Sequence, residues 1–398
     1  MQYRSATDYG SQAGTMTLER PVERPERAAE ITPTEAHEII RAVQPTPTPL
    51  ELAEYSAGNN HLLLKREDTS EIGSFKWRGA RVKMTSLHRQ GVRRVAAASA
   101  GNHAQGVALA AHDLGMIATI YVPADAPGAK FEGIRRHGGD NVRIVTCDSF
   151  EAAREAMLRD DGVTVEPYDD REVIVGQGTV GLELLDQADK AGIELDRIFV
   201  PVGGGGLLAG VAEAVHRRDP RIKVIGVQLI GNDSVYRSFH TGQRLGSSGI
   251  NTNCDGTAVA LAGEACLEKI YQYVHDVIVV KPADLGKAYT QDLRRFDTLA
   301  PVYGNDIYAS LREPAGMLAE VGALEYSRMH PECHDEAWVA VSSGGNVDMG
   351  RVDSFIDAHE RSYRRPAAHY LGHTAAIKGA TALFRQYAPV PVARQNTP

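Results

Sequence analysis

The stretch Pro201-Val-Gly-Gly-Gly-Gly-Leu-Leu-Ala-Gly210 decides the fold class of this chain. Its four successive glycines follow a short apolar run at Arg197–Val202 and precede a helical pattern at Leu207–Arg217. A glycine-rich turn between a strand and a helix exposes backbone N–H groups, and the positive end of the helix adds to their pull on an anion. The stretch therefore predicts a phosphate-binding turn at the carboxyl end of a strand in an α/β sheet.

Outward from this stretch, short Val- and Ile-rich runs alternate with helical patterns. The expected strands are His61–Arg66, Val92–Ala98, Met116–Val122, Val142–Val145, Arg197–Val202, Val224–Gln228, Val277–Val280 and Trp338–Val341. The expected helices are Pro33–Val43, Asn102–Leu114, Gly128–His137, Ser149–Arg159, Val173–Ala191, Leu207–Arg217, Pro282–Phe296 and Pro314–Met329. Continuous apolar strands are typical of sheets buried on both faces, and their alternation with helices predicts parallel α/β sheets with right-handed crossovers.

Composition excludes several classes of protein. The chain has 398 residues, of which 43% are hydrophobic and 24% charged, as in ordinary globular proteins. A net charge of −8 argues against a nucleic-acid partner, which needs clustered Lys and Arg. Four scattered cysteines do not make a disulfide framework and are typical of a reducing cytoplasm. No apolar run approaches the roughly 18 residues of a membrane helix, so we expect a cytoplasmic protein without a membrane partner.

The glycine turn alone does not identify the phosphate-containing ligand, and we first consider a dinucleotide and a nucleoside triphosphate. Gly204, Gly206 and Ala209 have the spacing G-x-G-x-x-G/A of a dinucleotide site. That site expects an acidic residue at the end of the next strand, where this chain has Gln228. A nucleoside-triphosphate loop needs Lys and Ser or Thr after the glycines, and two leucines stand there instead. A nicotinamide site is therefore the weaker alternative, and a triphosphate site is weaker still.

Three further stretches narrow the choice. They are Gly73-Ser-Phe-Lys-Trp-Arg-Gly-Ala80, Ser99-Ala-Gly-Asn-His-Ala-Gln-Gly106 and Ser342-Ser-Gly-Gly-Asn-Val-Asp348. Together with the four glycines, and with shorter matches at Asp169–Asp170, Gly176–Thr179, Asp255–Val259 and Glu313–Gly316, they occur in order from about Thr46 to Asp348. In combination they resemble the pyridoxal-phosphate (PLP) enzymes of the tryptophan-synthase β fold, fold type II, and among these most of all the serine and threonine dehydratases.

The resemblance implies a role for each matching residue. Lys76 would attach the cofactor covalently and serve as the base at the substrate Cα. The implied cofactor-binding residues are Phe75, Lys76, Asn102, Gly203, Gly204, Gly205, Gly206, Leu207, Gly256, Glu313 and Ser343. Among them Gly203 to Gly206 and Leu207 would hold the phosphate through backbone N–H, Asn102 the 3′-oxygen, and Ser343 the pyridine nitrogen. The implied substrate-binding residues are Ser99, Ala100, Gly101, Asn102 and His103, with no metal site.

Ser343 bears on the choice of reaction. A hydroxyl there, unlike a carboxylate, leaves the pyridine nitrogen largely neutral, which suits β-elimination. We therefore expect a PLP-dependent lyase that dehydrates and deaminates a β-hydroxy amino acid, L-threonine or L-serine or one like them, to a 2-oxo acid and ammonia. A racemase or a β-replacement synthase of the same fold is the alternative. A PLP-binding homologue with a regulatory or structural role is the third hypothesis.

The surroundings of Lys76 raise three expectations. Burial and the neighbouring Arg78 should depress the pKa of the lysine, as its role as a base requires. His103 is interpreted as a hydrogen-bonding residue of its loop in preference to a general base. Trp77 stands where relatives usually have a small aliphatic residue, so it either supports the helix of the lysine or alters the substrate cavity.

The domain organisation follows from the resemblance as well. We expect two doubly wound domains of parallel or mixed sheet, with the cofactor in the cleft between them, in a homodimer or homotetramer. The large domain would comprise 41–83 and 176–360, and the small domain 84–175. A polar extension, 1–40, would precede them, and a tail, 361–398, without a regulatory domain would follow. Segment 297–311 is expected to be a loop over the site or a surface insertion, and His369 and His373 to be surface residues.

Overall fold

The structure is a computed structural model that describes residues 30–347 except 125, 127 and 304–310. Of residues 129, 252, 253 and 297–303 it describes the backbone only. The tail 361–398 with the His369 and His373 pair, most of the extension at 1–40, and the second half of segment 297–311 therefore lie outside the described residues. The described chain from Ile31 onward belongs to one compact unit.

Within the described residues, ten strands form two sheets. The strands are β1 (Leu50–Leu52), β2 (His61–Arg66), β3 (Arg94–Ala98), β4 (Ile117–Pro123), β5 (Val142–Cys147), β6 (Val163–Thr164), β7 (Arg197–Pro201), β8 (Lys223–Leu229), β9 (Asp276–Val280) and β10 (Ala337–Ser342). The six-stranded sheet has the order β1-β2-β10-β7-β8-β9, and the four-stranded sheet has the order β5-β4-β3-β6. Neighbouring strands are parallel except β1, which pairs antiparallel with β2.

Helices connect and cover these strands. They are α1 (Pro33–Val43), α2 (Lys76–Arg89), α3 (Asn102–Leu114), α4 (Gly128–Gly138), α5 (Phe150–Leu158), α6 (Arg171–Ala191), α7 (Gly206–Arg218), α8 (Ser234–Thr241), α9 (Glu264–Tyr273), α10 (Pro282–Tyr303) and α11 (Pro314–Met329). The predicted α/β fold class is confirmed. None of the helices in the described part of the chain combines the length and apolarity that crossing a membrane requires.

The parallel pairing positions the glycine loops. β7 leads into Gly203–Gly206, and β10, which pairs with β7, leads into the loop that begins at Ser343. Because parallel strands end at the same edge, both loops lie at one edge of the six-stranded sheet. A backbone bridge between Ser74 and Gly344 brings the turn before α2 to the same place.

Two differences from the expected elements are informative. The extent of helix α2 was not predicted from its sequence pattern, because the segment is polar and carries Gly79 near its start. Helix α10 continues to Tyr303, so the first half of segment 297–311, which was expected to be a loop or an insertion, is helical backbone. Pro301 lies in the last turn of that helix.

Gly79 has a packing role that explains its place in α2. A Cβ at Gly79 would lie 2.4 Å from Nε2 of Gln177, and a Cβ at Gly176 would lie 2.7 Å from Cα of Gly79. Only glycine therefore permits α2 to approach α6 this closely. The helix that begins with Lys76 is held directly against α6.

A cluster of buried charges fixes the same pair of helices; we call Lys65, Glu67, Arg78 and Glu183 the charge cluster. Arg78 donates from Nε to Oε2 of Glu67 at 2.8 Å and from Nη2 to Oε1 of Glu183 at 2.8 Å. Lys65 donates to Oε1 of Glu183 at 2.6 Å. Two cations and two carboxylates balance, so these charges can be buried together.

Candidate active site

Lys76 is the first residue of α2 and is partly exposed, at the wall of a cavity. Its Nζ donates to the carbonyl oxygen of Pro167 at 2.7 Å. Burial lowers the pKa of this amine to about 8, against small opposing effects of Cys266 and Glu313. The expected contribution of Arg78 is not found, because the guanidinium turns away and is bound by the carboxylates of the charge cluster.

The four glycines form the floor of this cavity. Gly205 has a φ of +103°, in the left-handed region, and no side chain caps α7, which begins at Gly206. A Cβ at Gly204 would lie 2.4 Å from the ring of Tyr168, which packs over the loop. The loop therefore needs glycine, and it presents bare N–H groups at a positive helix end, an arrangement that binds phosphate.

The cavity contains most of the residues predicted to hold the cofactor. Its lining comprises Phe75, Lys76, Tyr168, Pro201, Gly203, Gly204, Gly205, Gly206, Leu207, Gly256, Thr257, Val259 and Ser343. Asn102 and Glu313 belong to the predicted set but lie beside this lining. Tyr168, Pro201, Thr257 and Val259 were not predicted. Tyr168 directly precedes the matching pair Asp169–Asp170, and that adjacency was the signal that could have identified it.

Ser343 and Glu313 meet where β10 ends. Ser343 is buried, its Oγ donates to the carbonyl of Ala315 at 3.3 Å, and its own carbonyl accepts from the N–H of Phe75 at 3.1 Å. Burial raises the pKa of Glu313 to about 8, and Asp255 adds to this effect. Asn102 donates from Nδ2 to Oε1 of Glu313 at 3.1 Å. Near neutral pH this carboxyl is therefore mostly protonated.

The loop predicted to bind the substrate carboxylate opens α3. Gly101 precedes the helix without a side-chain cap, and its N–H donates to Oγ of Ser99 at 3.2 Å. An uncapped helix N-terminus suits a carboxylate. His103 is buried, and its Nε2 lies 2.9 Å from the carbonyl oxygen of Val165, which can only accept. Burial and then Lys76 lower the pKa of His103 to about 3, so its ring is a neutral donor and a poor base.

Trp77 points away from the cofactor cavity. Its buried ring belongs to an apolar cluster with Ile39 and Ile40 of α1 and Ile72. This position agrees with the first expectation for Trp77, that it supports the helix that carries the lysine. It does not agree with the second, an altered substrate cavity.

Gln228 has a structural role in place of the acidic residue expected at a dinucleotide site. Its Oε1 accepts from the N–H of Tyr236 at 2.7 Å, and its Nε2 lies 3.4 Å from the carbonyls of Val202 and Gly203. It thereby ties the glycine loop to the neighbouring strand. The described residues contain no group of three His, Cys, Asp or Glu placed to hold a metal ion.

These groups match the chemistry of PLP. A primary amine of lowered pKa suits the aldehyde, bare amides at a helix end suit the phosphate, and a hydroxyl suits the ring nitrogen. Phe75 and Ser343 supply an aromatic ring and that hydroxyl in the same cavity as the amine. The donor set thus fits this cofactor as a whole.

Comparison with known proteins agrees with the geometry. The threonine dehydratase, mitochondrial, of Schizosaccharomyces pombe is 37% identical over 300 residues, which are 73% of this chain and 46% of that protein. The processed form of threonine deaminase isoform 2 from Solanum lycopersicum superposes with a TM-score of 0.68 at 33% identity, covering 81% of this chain and 93% of that one. Maize serine racemase gives a TM-score of 0.69 at 30% identity, covering 84% and 98%.

The lengths of the relatives differ from that of this chain, which spans about half the length of several curated relatives that it matches. The match to the family itself is broad and includes Lys76, the loop 99–106 and the four glycines. Residues 41–320 match the pyridoxal-phosphate dependent enzymes, and the chain belongs to that family.

Proposed function

We propose that this protein is an ammonia-lyase that eliminates the β-hydroxyl of L-threonine, L-serine or a similar amino acid and releases a 2-oxo acid and ammonia. The observation that carries the proposal is one cavity that holds a lysine with a pKa of about 8, a bare glycine loop and the Ser343 hydroxyl. The relatives named threonine dehydratase and threonine deaminase support the same reaction.

The residues of this chain divide the work. When bound, PLP supplies an electron-withdrawing ring that stabilises negative charge at the substrate Cα. The α3 N-terminus holds the substrate carboxylate, and Lys76 Nζ takes the Cα proton. The β-hydroxyl leaves as water. A second water then hydrolyses the product of this elimination to the 2-oxo acid and ammonia. Ser343 offers the ring nitrogen a hydroxyl, which keeps that nitrogen neutral and favours departure of the leaving group.

Elimination is preferred to racemisation because of the residue at position 100. Racemisation needs a proton donor or acceptor on the face of the substrate opposite the lysine. Ala100 supplies a methyl group, which packs against the apolar cluster of the four-stranded sheet and cannot transfer a proton. The similarity to maize serine racemase keeps that reaction as the second candidate.

We also infer the organisation in which the enzyme works. The large domain comprises 41–83 and 176–360 and the small domain 84–175, with the cofactor and the small amino-acid substrate between them. The protein is cytoplasmic and a homodimer or homotetramer. Support for a reducing compartment comes from Cys147, Cys254, Cys266 and Cys333, all of which are free. Light scattering of the purified holoenzyme measures the oligomeric state.

A substrate panel tests the proposed reaction. Purified protein loaded with PLP is incubated with L-threonine, L-serine, their D-enantiomers and β-substituted alanines, and both 2-oxo acid and ammonia are measured. We expect equal amounts of the two products from an L-β-hydroxy amino acid. Ammonia and 2-oxo acid from none of these substrates, with PLP bound, would contradict the proposal.

A further inference from the structure

Asn346 lies in the glycine-containing loop that follows β10 and begins at Ser343. Its side chain contacts two other loops of the site. Its Nδ2 donates to the carbonyl oxygen of Ile72 at 2.7 Å and to Oδ1 of Asn102 at 2.8 Å. A Cβ at Gly73 would lie 2.8 Å from Oδ1 of Asn346, so the side chain also packs against the turn before Lys76. Asn346 thus joins the turn that carries the lysine to the start of α3.

The direction of these hydrogen bonds follows from the first of them. A backbone carbonyl can only accept, so the Asn346 group that faces Ile72 is its NH₂. The same NH₂ gives its other hydrogen to Asn102, and the Asn102 atom on that side must therefore be the amide oxygen. The NH₂ of Asn102 consequently points the other way, toward Oε1 of Glu313 at 3.1 Å.

The NH₂ of Asn102 has two hydrogens, and Glu313 accepts one of them. Among the residues that the structure describes, no acceptor is recorded for the other. Asn102 Nδ2 lies 3.2 Å from the position of a Cβ on Gly344, which follows the cavity residue Ser343. A donor at the edge of the cavity suits a negatively charged oxygen of a bound cofactor.

We propose that Asn346 is a positioning residue that fixes the orientation of the Asn102 amide, so that an N–H and not a carbonyl faces an oxygen of bound PLP. The inference rests on the cofactor site of the proposed function and not on the reaction. In the reversed orientation the amide oxygen would face the cofactor oxygen, and two acceptors would meet without a hydrogen between them.

Asn346→Asp tests this inference, because it replaces the NH₂ that faces Asn102 by a carboxylate oxygen and so favours the reversed amide. We expect the Kd for PLP to rise about tenfold or more. The midpoint of the pH titration of the visible absorbance should move up by about one to two pH units, the equivalent of a lost hydrogen bond to a charged group. Asn346→Ala, which removes the donor without reversing it, should have a smaller effect on both quantities.

Asn141→Asp is the matched control, since Asn141, directly before β5, also donates from Nδ2 to a backbone carbonyl, that of Met116 at 3.0 Å. It should leave PLP affinity and absorbance unchanged. A second comparison introduces Asn346→Asp into an Asn102→Ala background. With no amide left to orient, it should then cost little further PLP affinity, so the two effects should not add.

Two outcomes would overturn the inference. One is an Asn346→Asp protein with the PLP affinity and absorbance of the unmodified chain. The other is an equal loss of affinity from Asn346→Asp with and without Asn102, which would mean that Asn346 acts by a different route. A chain that binds PLP and shows these effects but releases no 2-oxo acid would refute the proposed reaction and leave this inference standing.

Discussion

Two lysines of this molecule lie in different surroundings: Lys65 is buried, and Lys76 is partly exposed at the wall of the cavity. Lys65, in the charge cluster, donates to Oε1 of Glu183 at 2.6 Å, the carbonyl of Thr48 at 2.8 Å and Oε1 of Gln187 at 2.8 Å. The described partner of Lys76 Nζ is a carbonyl oxygen at 2.7 Å. Three acceptors match the three hydrogens of an ammonium group at Lys65, and this match is missing at Lys76.

The carboxyl groups of the two regions also differ, in the direction in which their surroundings shift the pKa. Although burial raises the pKa of Glu183, Arg78 and Lys65 lower it to about 2. Burial raises the pKa of Glu313, beside the cofactor cavity, to about 8. Burial is common to both sites, so the paired opposite charges make the difference. One region holds charges that neutralise each other, and the other holds an amine and a carboxyl whose pKa values are both shifted to about 8.

The largest effect is expected from exchanging the two lysines for neutral residues. Lys76→Ala should abolish turnover and the visible absorbance of the lysine-bound cofactor, because no other amine stands in the cavity lining described here. Lys65→Met should keep that absorbance but lower the free energy of unfolding by about 3–5 kcal/mol, since it leaves Glu183 without one of its cations. Borohydride reduction followed by peptide mapping identifies the lysine that carries the cofactor in both variants. Cofactor reduced onto another lysine in Lys76→Ala would refute the assignment.

A carboxylate added to the cofactor cavity would give the cavity a charged group of the kind that the charge cluster contains, and so reduce the difference between the two regions. Gly204→Asp should raise the Kd for PLP by orders of magnitude, because the new charge repels the phosphate and its Cβ collides with Tyr168. Gly204→Ala separates the collision from the charge and should weaken binding less. Gly249→Asp is a control, as a Cβ there meets only Gly231 Cα, at 4.0 Å. Unchanged PLP affinity in Gly204→Asp would place the phosphate elsewhere.

The pH dependence of cofactor attachment sharpens the comparison between the lysines. The folded chain holds Lys76 at a pKa of about 8, below the ordinary 10.5, so its neutral amine becomes abundant as the pH rises through 8. The rate of PLP attachment, followed by visible absorbance, should rise with a midpoint near pH 8. Glu313→Gln should move this midpoint down, because Glu313 raises the pKa of Lys76. A midpoint near 10.5 would contradict the assigned environment.

The same shift predicts a trend in stability without cofactor. Between about pH 8 and 10.5 the unfolded chain holds a proton on Lys76 that the folded chain has lost. The contribution of this residue to the free energy of unfolding therefore increases with pH in that window and is constant outside it. The difference between the unmodified protein and Lys76→Ala, measured by denaturant unfolding across that window, isolates it.

The smallest effect is expected where a second proton-transferring group is added opposite Lys76. Ala100→Ser should add slow racemisation of the L-substrate, while Cα deprotonation continues from Lys76. General acid–base catalysis by one group contributes roughly 10²–10⁴-fold. Chiral analysis of substrate recovered from heavy water measures it, with Ala98→Ser, on the preceding strand, as the control. Appreciable D-amino acid from the unmodified protein would refute elimination without racemisation.

Regular elements were predictable where their pattern is strong. The predicted bounds of α1 and β2 coincide with those in the structure, and α6 begins two residues earlier than predicted. The pattern failed for α2, in which a glycine and many polar residues hide the apolar face. That helix is stabilised by contacts with α6 and the charge cluster, and such distant contacts leave no local periodicity.

The site divides in a similar way. The glycine loop could be located from sequence, because its strand, its four glycines and its helix are adjacent in the chain and do not depend on distant contacts. The partners of Lys76 could not, since its pKa depends on burial and on the carbonyl of Pro167, 91 residues away. The orientation of Arg78 was misjudged for the same reason: adjacency in sequence does not say which way a helical side chain points.

The contact between α2 and α6 constrains how this chain can be recombined with its relatives. Gly79 and Gly176 touch each other, and a methyl group on either collides with the opposite helix. A chimera that takes the two segments from different parents inherits a clash unless both parents have glycine at these positions. Crossover points between residues 79 and 176 are therefore conditional on a pair of positions, whereas crossovers outside that interval keep the pair together.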